Sequence, residues 1–395
     1  MSEGDATRPT GSVSRRRLLG GMASALATAG LAGCSGGNSD ERTTPSDAAT
    51  GAPAETTTRW TTTQRAENGD ARIGMVYALG GLGDNSFNDM AHAGAKKARK
   101  EFGISFENAE PSSSEQIPKL QREFASATDP PKDLVCGIGF AQAAGIVSNA
   151  TEFPDQQFLL VDGVATDESG ALLPNVANYT FAEHQGSFQV GLLAGLVTRR
   201  EFAAGAGRTT GDRTVGFVGG VDVPLIRKFE AGYRAGVARA GDDIEVTSAY
   251  AGSFADPDAG ERLASEMYAD GADIVYHAAG GSGIGVFRAA QKAGRFAIGV
   301  DNDQSRSVPE YSDVILASMV KHVDKAVFRS IASLVDRKFR FRVGTVNTLG
   351  LLEGGVRAVY GTDLGSAIPD DVTAKLDASR RAIIKNEIKV PTTLS

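Results

Sequence analysis

Polar residues and glycines directly follow five short apolar segments of the sequence, at places where they could contact a ligand. These stretches are residues 80–89, Asp162-Gly163, Gly219-Gly220-Val221-Asp222, Gly280-Gly281-Ser282-Gly283 and Asp301-Asn302-Asp303. Carboxylate and amide groups can hydrogen-bond a polar ligand, and glycine lets the backbone approach it closely. In open α/β sheets, ligands bind beyond the carboxyl ends of the strands. The sequence therefore predicts a ligand site where these stretches meet.

The apolar segments that precede these residues are predicted strands, and they alternate with segments of helical periodicity. Strands are expected at residues 72–79, 104–108, 133–140, 157–161, 214–218, 244–250, 273–278 and 296–300. Helices are expected at residues 87–102, 114–127, 184–197, 224–240, 261–269 and 286–293. This alternation is typical of α/β folds with parallel sheets and right-handed crossovers. Because 395 residues exceed what one core usually supports, two lobes that divide near residue 183 are expected.

Other kinds of site are not favoured by the sequence. A dinucleotide fingerprint would need glycine where Ser86 and Val286 stand, and no phosphate-loop lysine motif occurs. The four histidines lack metal-ligand spacing, so neither a metal nor a cofactor is expected. The formal net charge of −7 makes nucleic acid and anionic lipid surfaces poor partners.

The N-terminal region has the layout of an export signal. Arg15, Arg16 and Arg17 precede an uncharged apolar stretch at residues 18–33, which is too short for a comfortable membrane span. The stretch ends in Leu31-Ala32-Gly33-Cys34, which resembles a lipobox. We therefore expect a twin-arginine lipoprotein signal peptide at residues 1–33, lipidation of Cys34 and anchoring at the extracytoplasmic face of the cell membrane. Residues 34–70 are polar and lack periodicity, which predicts a disordered tether.

A series of further motifs resembles the basic membrane protein family of substrate-binding lipoproteins, whose characterised branch includes purine nucleoside receptors. The matching pieces are Gly83-Asp84-Asn85-Ser86-Phe87-Asn88, residues 158–163, Phe181-Ala182-Glu183-His184-Gln185-Gly186-Ser187-Phe188 with Gly191 to Gly195, Val218-Gly219-Gly220, Gly280-Gly281-Ser282-Gly283, Gly299-Val300-Asp301, and Ala317-Ser318-Met319-Val320-Lys321 with Asp324. They occur in order from about residue 72 to beyond residue 350.

The resemblance implies a type I periplasmic-binding-protein fold, in which two doubly wound parallel-sheet lobes close around a ligand in the cleft between them. Residues 71–183 plus 301–334 would form the N-terminal lobe, and residues 184–300 plus 335–395, with a hairpin-like segment at 341–360, the C-terminal lobe. It also implies a monomeric binding protein of an ABC importer, not an enzyme, with the permease and ATPase subunits as partners.

By the same resemblance, Asp84, Asn85, Asp162, Asp301 and Lys321 align with the polar ligand contacts of the family, and Ser86 and Gly281 belong to the matching loops. A ribose offers vicinal hydroxyls to a carboxylate, and a purine offers a face for stacking. Candidates for stacking are Phe87, Phe140, Phe181 and Phe229, of which Phe181 lies in the best-matched block. Three carboxylates near one cleft would repel phosphate, which favours a nucleoside over a nucleotide.

The same residues also have purely structural interpretations. Asp84 could cap the next helix, Asp162 and Asp301 could form turns, and Lys321 could be a solvated lysine. Asn85 and His184 stand where family members commonly carry other polar or acidic residues, which leaves the identity of the ligand open.

Alternative functions are also open. These are the binding of another ring compound or a sugar, a sensing role, and a secreted nucleoside-processing enzyme. The enzyme would need several carboxylates in one loop, and Asp301-Asn302-Asp303 is the nearest approach to that.

Overall fold

The computed structural model describes residues 70–336, 338–339 and 342–394. The predicted signal peptide, Cys34 and the tether up to residue 69 lie outside these residues. Within them, no helix combines the length and the apolar character that a membrane crossing requires.

The described chain alternates strands and helices along most of its length. The strands are β1 (Arg72–Val76), β2 (Ser105–Ala109), β3 (Leu134–Ile138), β4 (Phe158–Val161), β5 (Val176–Phe181), β6 (Ala203–Ala204), β7 (Gly207–Arg208), β8 (Thr214–Gly219), β9 (Glu245–Tyr250), β10 (Ala272–Ala278), β11 (Phe296–Asp301), β12 (Ile315–Lys321), β13 (Thr345–Leu349) and β14 (Val356–Tyr360). The helices are α1 (Phe87–Phe102), α2 (Ile117–Ala125), α3 (Ala143–Glu152), α4 (Glu183–Thr198), α5 (Pro224–Ala240), α6 (Pro257–Ala269), α7 (Gly283–Ala293), α8 (Gln304–Ser307), α9 (Val323–Val335) and α10 (Asp370–Ile384).

Two six-stranded sheets form the body of the protein. The first has the strand order β13-β5-β4-β3-β1-β2, and its neighbouring strands are parallel. The second has the order β14-β12-β11-β10-β8-β9 and is parallel except for β14, which pairs antiparallel with β12. The predicted α/β class with parallel sheets is therefore confirmed.

Both faces of each sheet are covered, as the continuous apolar strands predict. Along β3, Leu134 and Cys136 belong to one buried cluster, whereas Val135 between them belongs to another cluster with Phe158. Because successive side chains of a strand point to opposite faces, the two clusters lie on the two sides of the first sheet. The second sheet divides its residues between two clusters in the same way.

The sheet membership of two segments differs from the predicted bounds of the lobes. Strand β12 was expected in the N-terminal lobe, but it pairs with β11 in the second sheet. Strand β13 was expected in the C-terminal lobe, but it pairs with β5 in the first sheet. The predicted hairpin at residues 341–360 is therefore wrong, because β13 and β14 belong to different sheets. Helix α9, between β12 and β13, contacts α1, so the chain returns to the first sheet before it adds β14 to the second.

Glycines allow α4 and α5 to pack with their backbones in contact. A Cβ atom on Gly191 would lie 2.2 Å from the carbonyl oxygen of Tyr233, and one on Gly236 would lie 2.2 Å from that of Phe188. Backbone atoms cannot turn aside as a flexible side chain can, so larger residues are excluded at both positions. This contact fixes the position of the amino end of α4, where Glu183 lies.

We expect Gly236→Ala to lower the free energy of unfolding by about 2 to 3 kcal/mol, because the added methyl group forces the two helices apart. The loss would occur although alanine favours an isolated helix over glycine by about 1 kcal/mol. Ala238→Ser, on the exposed side of α5, is the control and should change stability by about 0.5 kcal/mol or less. Urea denaturation of the three proteins measures the difference, and equal stability of the two variants would contradict this packing.

Candidate ligand-binding cleft

A cavity of about 420 Å³ lies at the carboxyl ends of strands from both sheets. The loops after β1, β3 and β4 line it from the first sheet, and the loops after β8, β9 and β10 and the end of β11 line it from the second. Of the residues predicted for the site, those that line this cavity are Asp84, Phe87, Asp162, Gly281, Asp301 and Lys321. Asn85, Ser86 and Phe181 are not among its lining residues in the described part of the chain.

Asp84 combines the two roles that the sequence left open. Its carboxylate accepts hydrogen bonds from the backbone N–H groups of Ser86 and Asn88, each at 2.9 Å, and of Asp89 at 3.2 Å. These are free donors of the first turn of α1, so Asp84 acts as a capping residue. It also lines the cavity, and burial raises its pKa against the effect of these hydrogen bonds.

Asn85 and Ser86 connect the two sheets behind the cavity. The Asn85 carbonyl oxygen accepts hydrogen bonds from Gln304 Nε2 at 3.3 Å and from Ser307 Oγ at 3.4 Å. The Ser86 hydroxyl donates to Asp301 Oδ2 at 2.5 Å, and this contact is buried. Asn85 has a φ of 51°, a left-handed conformation that asparagine tolerates better than most residues. The two residues therefore hold the β1 loop against the loop after β11.

Lys321 is the buried centre of the cavity floor. It ends β12, its side chain is 2% exposed, and its ammonium group lies 2.5 Å from Asp162 Oδ2. The second oxygen of that carboxylate, Oδ1, is buried and has no hydrogen-bond partner among the described residues. The solvated-lysine interpretation is therefore wrong, and Asp162, which lines the cavity, keeps one unpaired acceptor oxygen.

Three aromatic rings surround the same ammonium group. Its Nζ lies 5.2 Å from the ring centroid of Phe87, 5.0 Å from that of Phe181 and 5.4 Å from that of Phe229. These distances are in the range of cation–π attraction. Phe181, which was predicted to stack on a ligand, is fully buried in the core instead.

Two residues that were not predicted for the site complete the charges around Lys321. Glu183, the first residue of α4, is fully buried and places Oε1 3.1 Å from Lys321 Nζ. Its other oxygen lies 2.6 Å from Nζ of Lys228 on α5. The position of Glu183, an acidic residue at a helix N-terminus, is a structural signal that the sequence shows. No local pattern in the sequence distinguishes Lys228 as a residue of the site.

The buried carboxylates and Lys321 shift one another's proton affinity. Burial raises the pKa of Asp301 to about 7, although Lys321 and the Ser86 hydroxyl oppose this shift. Burial disfavours the charged form of Lys321, but Asp162, Glu183 and Asp301 outweigh it and hold the pKa of Lys321 above its usual value. Lys321 therefore stays charged at neutral pH, whereas Asp301 can gain or lose a proton.

The mouth of the cavity is aromatic and apolar. Phe140 follows β3 and Phe254 follows β9, and their ring centroids lie 6.4 Å apart at an interplanar angle of 66°. Both rings line the cavity from opposite sheets. Phe254 was not predicted, because no motif or periodicity distinguishes it in its irregular loop.

At Gly281 the loop after β10 comes close to the β1 loop. A Cβ atom on Gly281 would lie 3.3 Å from the Phe254 carbonyl oxygen and 4.0 Å from the Asp84 Cβ. The loops from the two sheets are thus close enough for one small molecule to contact both.

The loop that could supply several carboxylates to one reaction does not do so. Asp301 faces the cavity, but Asp303 accepts hydrogen bonds from Ser305 Oγ at 2.6 Å and Arg306 Nε at 2.9 Å. Across residues 70–394, apart from the undescribed positions, no three His, Cys, Asp or Glu side chains come together as a group that could hold a metal ion.

A family model described as ABC transporter substrate-binding protein PnrA-like, named Bmp, matches residues 71–393. An uncharacterized lipoprotein of Pyrococcus furiosus is 31% identical over 340 residues, which is 80% of each chain. Basic membrane protein A of Borreliella afzelii is 31% identical over 330 residues, which is 82% of this chain and 93% of that one.

The crystal structure of a solute-binding protein of an ABC transporter system from Aeropyrum pernix K1 superimposes with a TM-score of 0.70 at 26% identity. The match covers 82% of this chain and 94% of that one. The resemblance to the basic membrane protein family and the periplasmic-binding-protein fold are thereby confirmed. With this fold, this cleft and these relatives, the chain belongs to the Bmp family of ABC transporter substrate-binding proteins.

Proposed function

We propose that this protein captures a purine nucleoside outside the cytoplasm and delivers it to the permease of an ABC importer. The observation that supports this most is the unpaired Oδ1 of Asp162, a buried acceptor on a side chain that lines the cavity beside Lys321. A buried polar atom without a partner costs free energy, and a ligand hydroxyl would remove that cost.

The floor of the cavity suits a ribose. Asp162 and Asp301 both present carboxylate oxygens to it, and carboxylates accept hydrogen bonds from hydroxyl groups. The Lys321 ammonium group, in contact with Asp162, can donate to a ring or hydroxyl oxygen. Hydrogen bonds to charged groups contribute about 1.5 to 3 kcal/mol each, so such a floor can hold a small polar ligand firmly.

The mouth of the cavity suits a flat aromatic base. Phe140 and Phe254 line it together with aliphatic side chains. Aromatic pairs contribute about 0.5 to 1.5 kcal/mol beyond the area that they bury. A sugar without a base would not use the aromatic surface that Phe140 and Phe254 present to the cavity.

The charges of the cavity favour a neutral ligand. Asp84, Asp162 and Asp301 line it, and the only lysine or arginine among its lining residues, Lys321, is already paired with Asp162 and Glu183. A phosphate group would meet these carboxylates in a site from which water is largely excluded, where like charges repel by several kcal/mol. A nucleoside is therefore preferred to a nucleotide.

Anchoring would follow from the N-terminal sequence. We propose export through the twin-arginine signal, lipidation at Cys34 and a tether at residues 34–70 that lets a monomer reach the permease. The relative from Pyrococcus furiosus that is named a lipoprotein supports this arrangement.

The first experiment is a thermal-shift screen of the purified protein with inosine, guanosine, adenosine, their monophosphates, the free bases and D-ribose. We expect the nucleosides to raise the melting temperature and the monophosphates to have no effect. A ligand at a hundred times its dissociation constant stabilises the folded state by about 2.7 kcal/mol, which moves the melting temperature by several degrees.

Matched variants locate the effect in the cavity. Asp162→Ala should abolish the nucleoside shift, whereas Asp167→Ala should keep it, because Asp167 makes its hydrogen bonds within an exposed turn after the same strand. A shift with D-ribose alone, or with the monophosphates, would contradict the nucleoside proposal. An Asp162→Ala protein that responds like the wild type would contradict the site.

The raised pKa of Asp301 predicts a pH-dependent stability. Between about pH 4 and pH 7 the unfolded chain loses this proton while the folded protein keeps it, so stability falls as the pH rises through this range. Asp301→Asn is neutral at both pH 5 and pH 8, so it avoids this loss of stability. Its melting temperature should therefore exceed that of the wild type by a larger margin at pH 8 than at pH 5.

Over its full pH range, this titration of Asp301 lowers the free energy of unfolding by about 4 kcal/mol, at roughly 1.4 kcal/mol for each tenfold change in proton affinity. Differential scanning calorimetry at the two pH values measures the margin. Asp167→Asn is the control, since the pKa of this exposed residue is lowered and it does not titrate in this range. A margin for Asp301→Asn that does not grow between pH 5 and pH 8 would contradict the charge state assigned to Asp301.

A further inference from the structure

Four charged side chains that alternate in sign run from the cavity floor into the protein. Asp162 contacts Lys321, Lys321 contacts Glu183, and Glu183 contacts Lys228, at N···O distances of 2.5, 3.1 and 2.6 Å. Asp162 and Lys321 line the cavity, whereas Glu183 and Lys228 do not. Glu183 and Lys228 can therefore affect a ligand only through Asp162 and Lys321.

Lys228 is held from two sides. Besides its contact with Glu183, its ammonium group donates a hydrogen bond to the Phe181 carbonyl oxygen at 2.6 Å. Phe181 ends β5 of the first sheet, and Lys228 belongs to α5, which packs against α4. Lys228, on α5, thus contacts both the end of β5 in the first sheet and the start of α4.

The charge balance of the group depends on Lys228. With all four side chains ionised, two carboxylates face two ammonium groups. Without Lys228, Asp162 and the fully buried Glu183 would share the single charge of Lys321, with Asp301 close by. Buried like charges repel strongly, so Lys321 would move or a carboxylate would take up a proton. Movement of Lys321 would displace the Asp162 carboxylate, and a proton taken up by Asp162, whose pKa burial already raises, would occupy one of its oxygens.

We infer that Glu183 and Lys228 are positioning residues of the binding site: Glu183 holds the Lys321 ammonium group in place, and Lys228 neutralises Glu183 so that Asp162 Oδ1 stays free for the ligand. This inference rests on the proposed function only in taking the cavity as the site of solute binding.

A double-mutant cycle tests the pair. Glu183→Gln leaves two ammonium groups for one carboxylate, and Lys228→Met leaves two carboxylates for one ammonium group. The double variant restores a one-to-one pair of Asp162 and Lys321. Each single variant should weaken inosine binding, measured by isothermal titration calorimetry, by about tenfold or more, and the double variant should bind more tightly than either. The inference would be overturned if the double variant lost affinity by the product of the two single losses. It would also be overturned if the single variants bound inosine like the wild type.

A conservative variant separates charge from packing. The Lys228 side chain is 23% exposed, so we expect arginine to fit in its place. Lys228→Arg keeps the positive charge and should bind inosine within about threefold of the wild type. A loss as large as that of Lys228→Met would show that the charge is not what matters.

A measurement without ligand keeps the inference separate from the nucleoside proposal. Because the ammonium group of Lys321 is buried, we expect its protons to exchange slowly, so that its nitrogen resonance can be followed in ¹⁵N-lysine-labelled protein and assigned with Lys321→Arg. We expect the resonance to shift in Glu183→Gln and in Lys228→Met and to return toward its wild-type position in the double variant. An unchanged resonance in both single variants would overturn the inference, whereas failure of the wild type to bind inosine would count against the nucleoside proposal alone.

Discussion

The binding site depends on one constraint, which is that the buried charge of Lys321 must be paired. An unpaired ammonium group inside a protein costs several kcal/mol, because it loses its contacts with water. Lys321 ends a strand of the second sheet, while its partner Asp162 follows a strand of the first. The pair therefore requires both sheets to be in place, and it sits where their carboxyl ends meet. Through Glu183 the same charge reaches α4, whose position is fixed by its glycine contacts with α5.

The site also carries unfavourable interactions that a ligand could relieve. The free oxygen of Asp162 and the raised pKa of Asp301 both lower the stability of the ligand-free protein at neutral pH. A ligand hydroxyl that donates to Asp162 Oδ1 would give it the partner that it lacks, and one that donates to Asp301 would stabilise its charged form. Functional sites often retain such costs, because groups that are already satisfied within the protein have little to offer a ligand.

Much of this arrangement could be predicted from the sequence. Parallel strands place the residues that follow them at a common edge, so Asp84, Asp162, Gly281 and Asp301 were correctly predicted to come together. Lys321 was predicted from the family motif, and its burial was not foreseen, since a lysine at the end of an apolar strand is equally compatible with solvent.

Other features could not be predicted, for physical reasons. Phe181 alternates to the core side of its strand, and Phe254 lies in a loop without periodicity. Lys228 reaches Glu183 only because α4 and α5 pack closely, which is a tertiary contact. The lobe bounds implied by the family resemblance were wrong for β12 and β13, because strand pairing is a tertiary contact that the sequence of these segments does not specify.

The most direct test of this account is a crystal structure of the protein with inosine bound. The account predicts a ribose hydroxyl within about 3.2 Å of Asp162 Oδ1, with Lys321 still between Asp162 and Glu183 and the base beside Phe140 and Phe254. A complex in which Asp162 Oδ1 faces no ligand atom, or in which Lys321 has left both carboxylates, would contradict it.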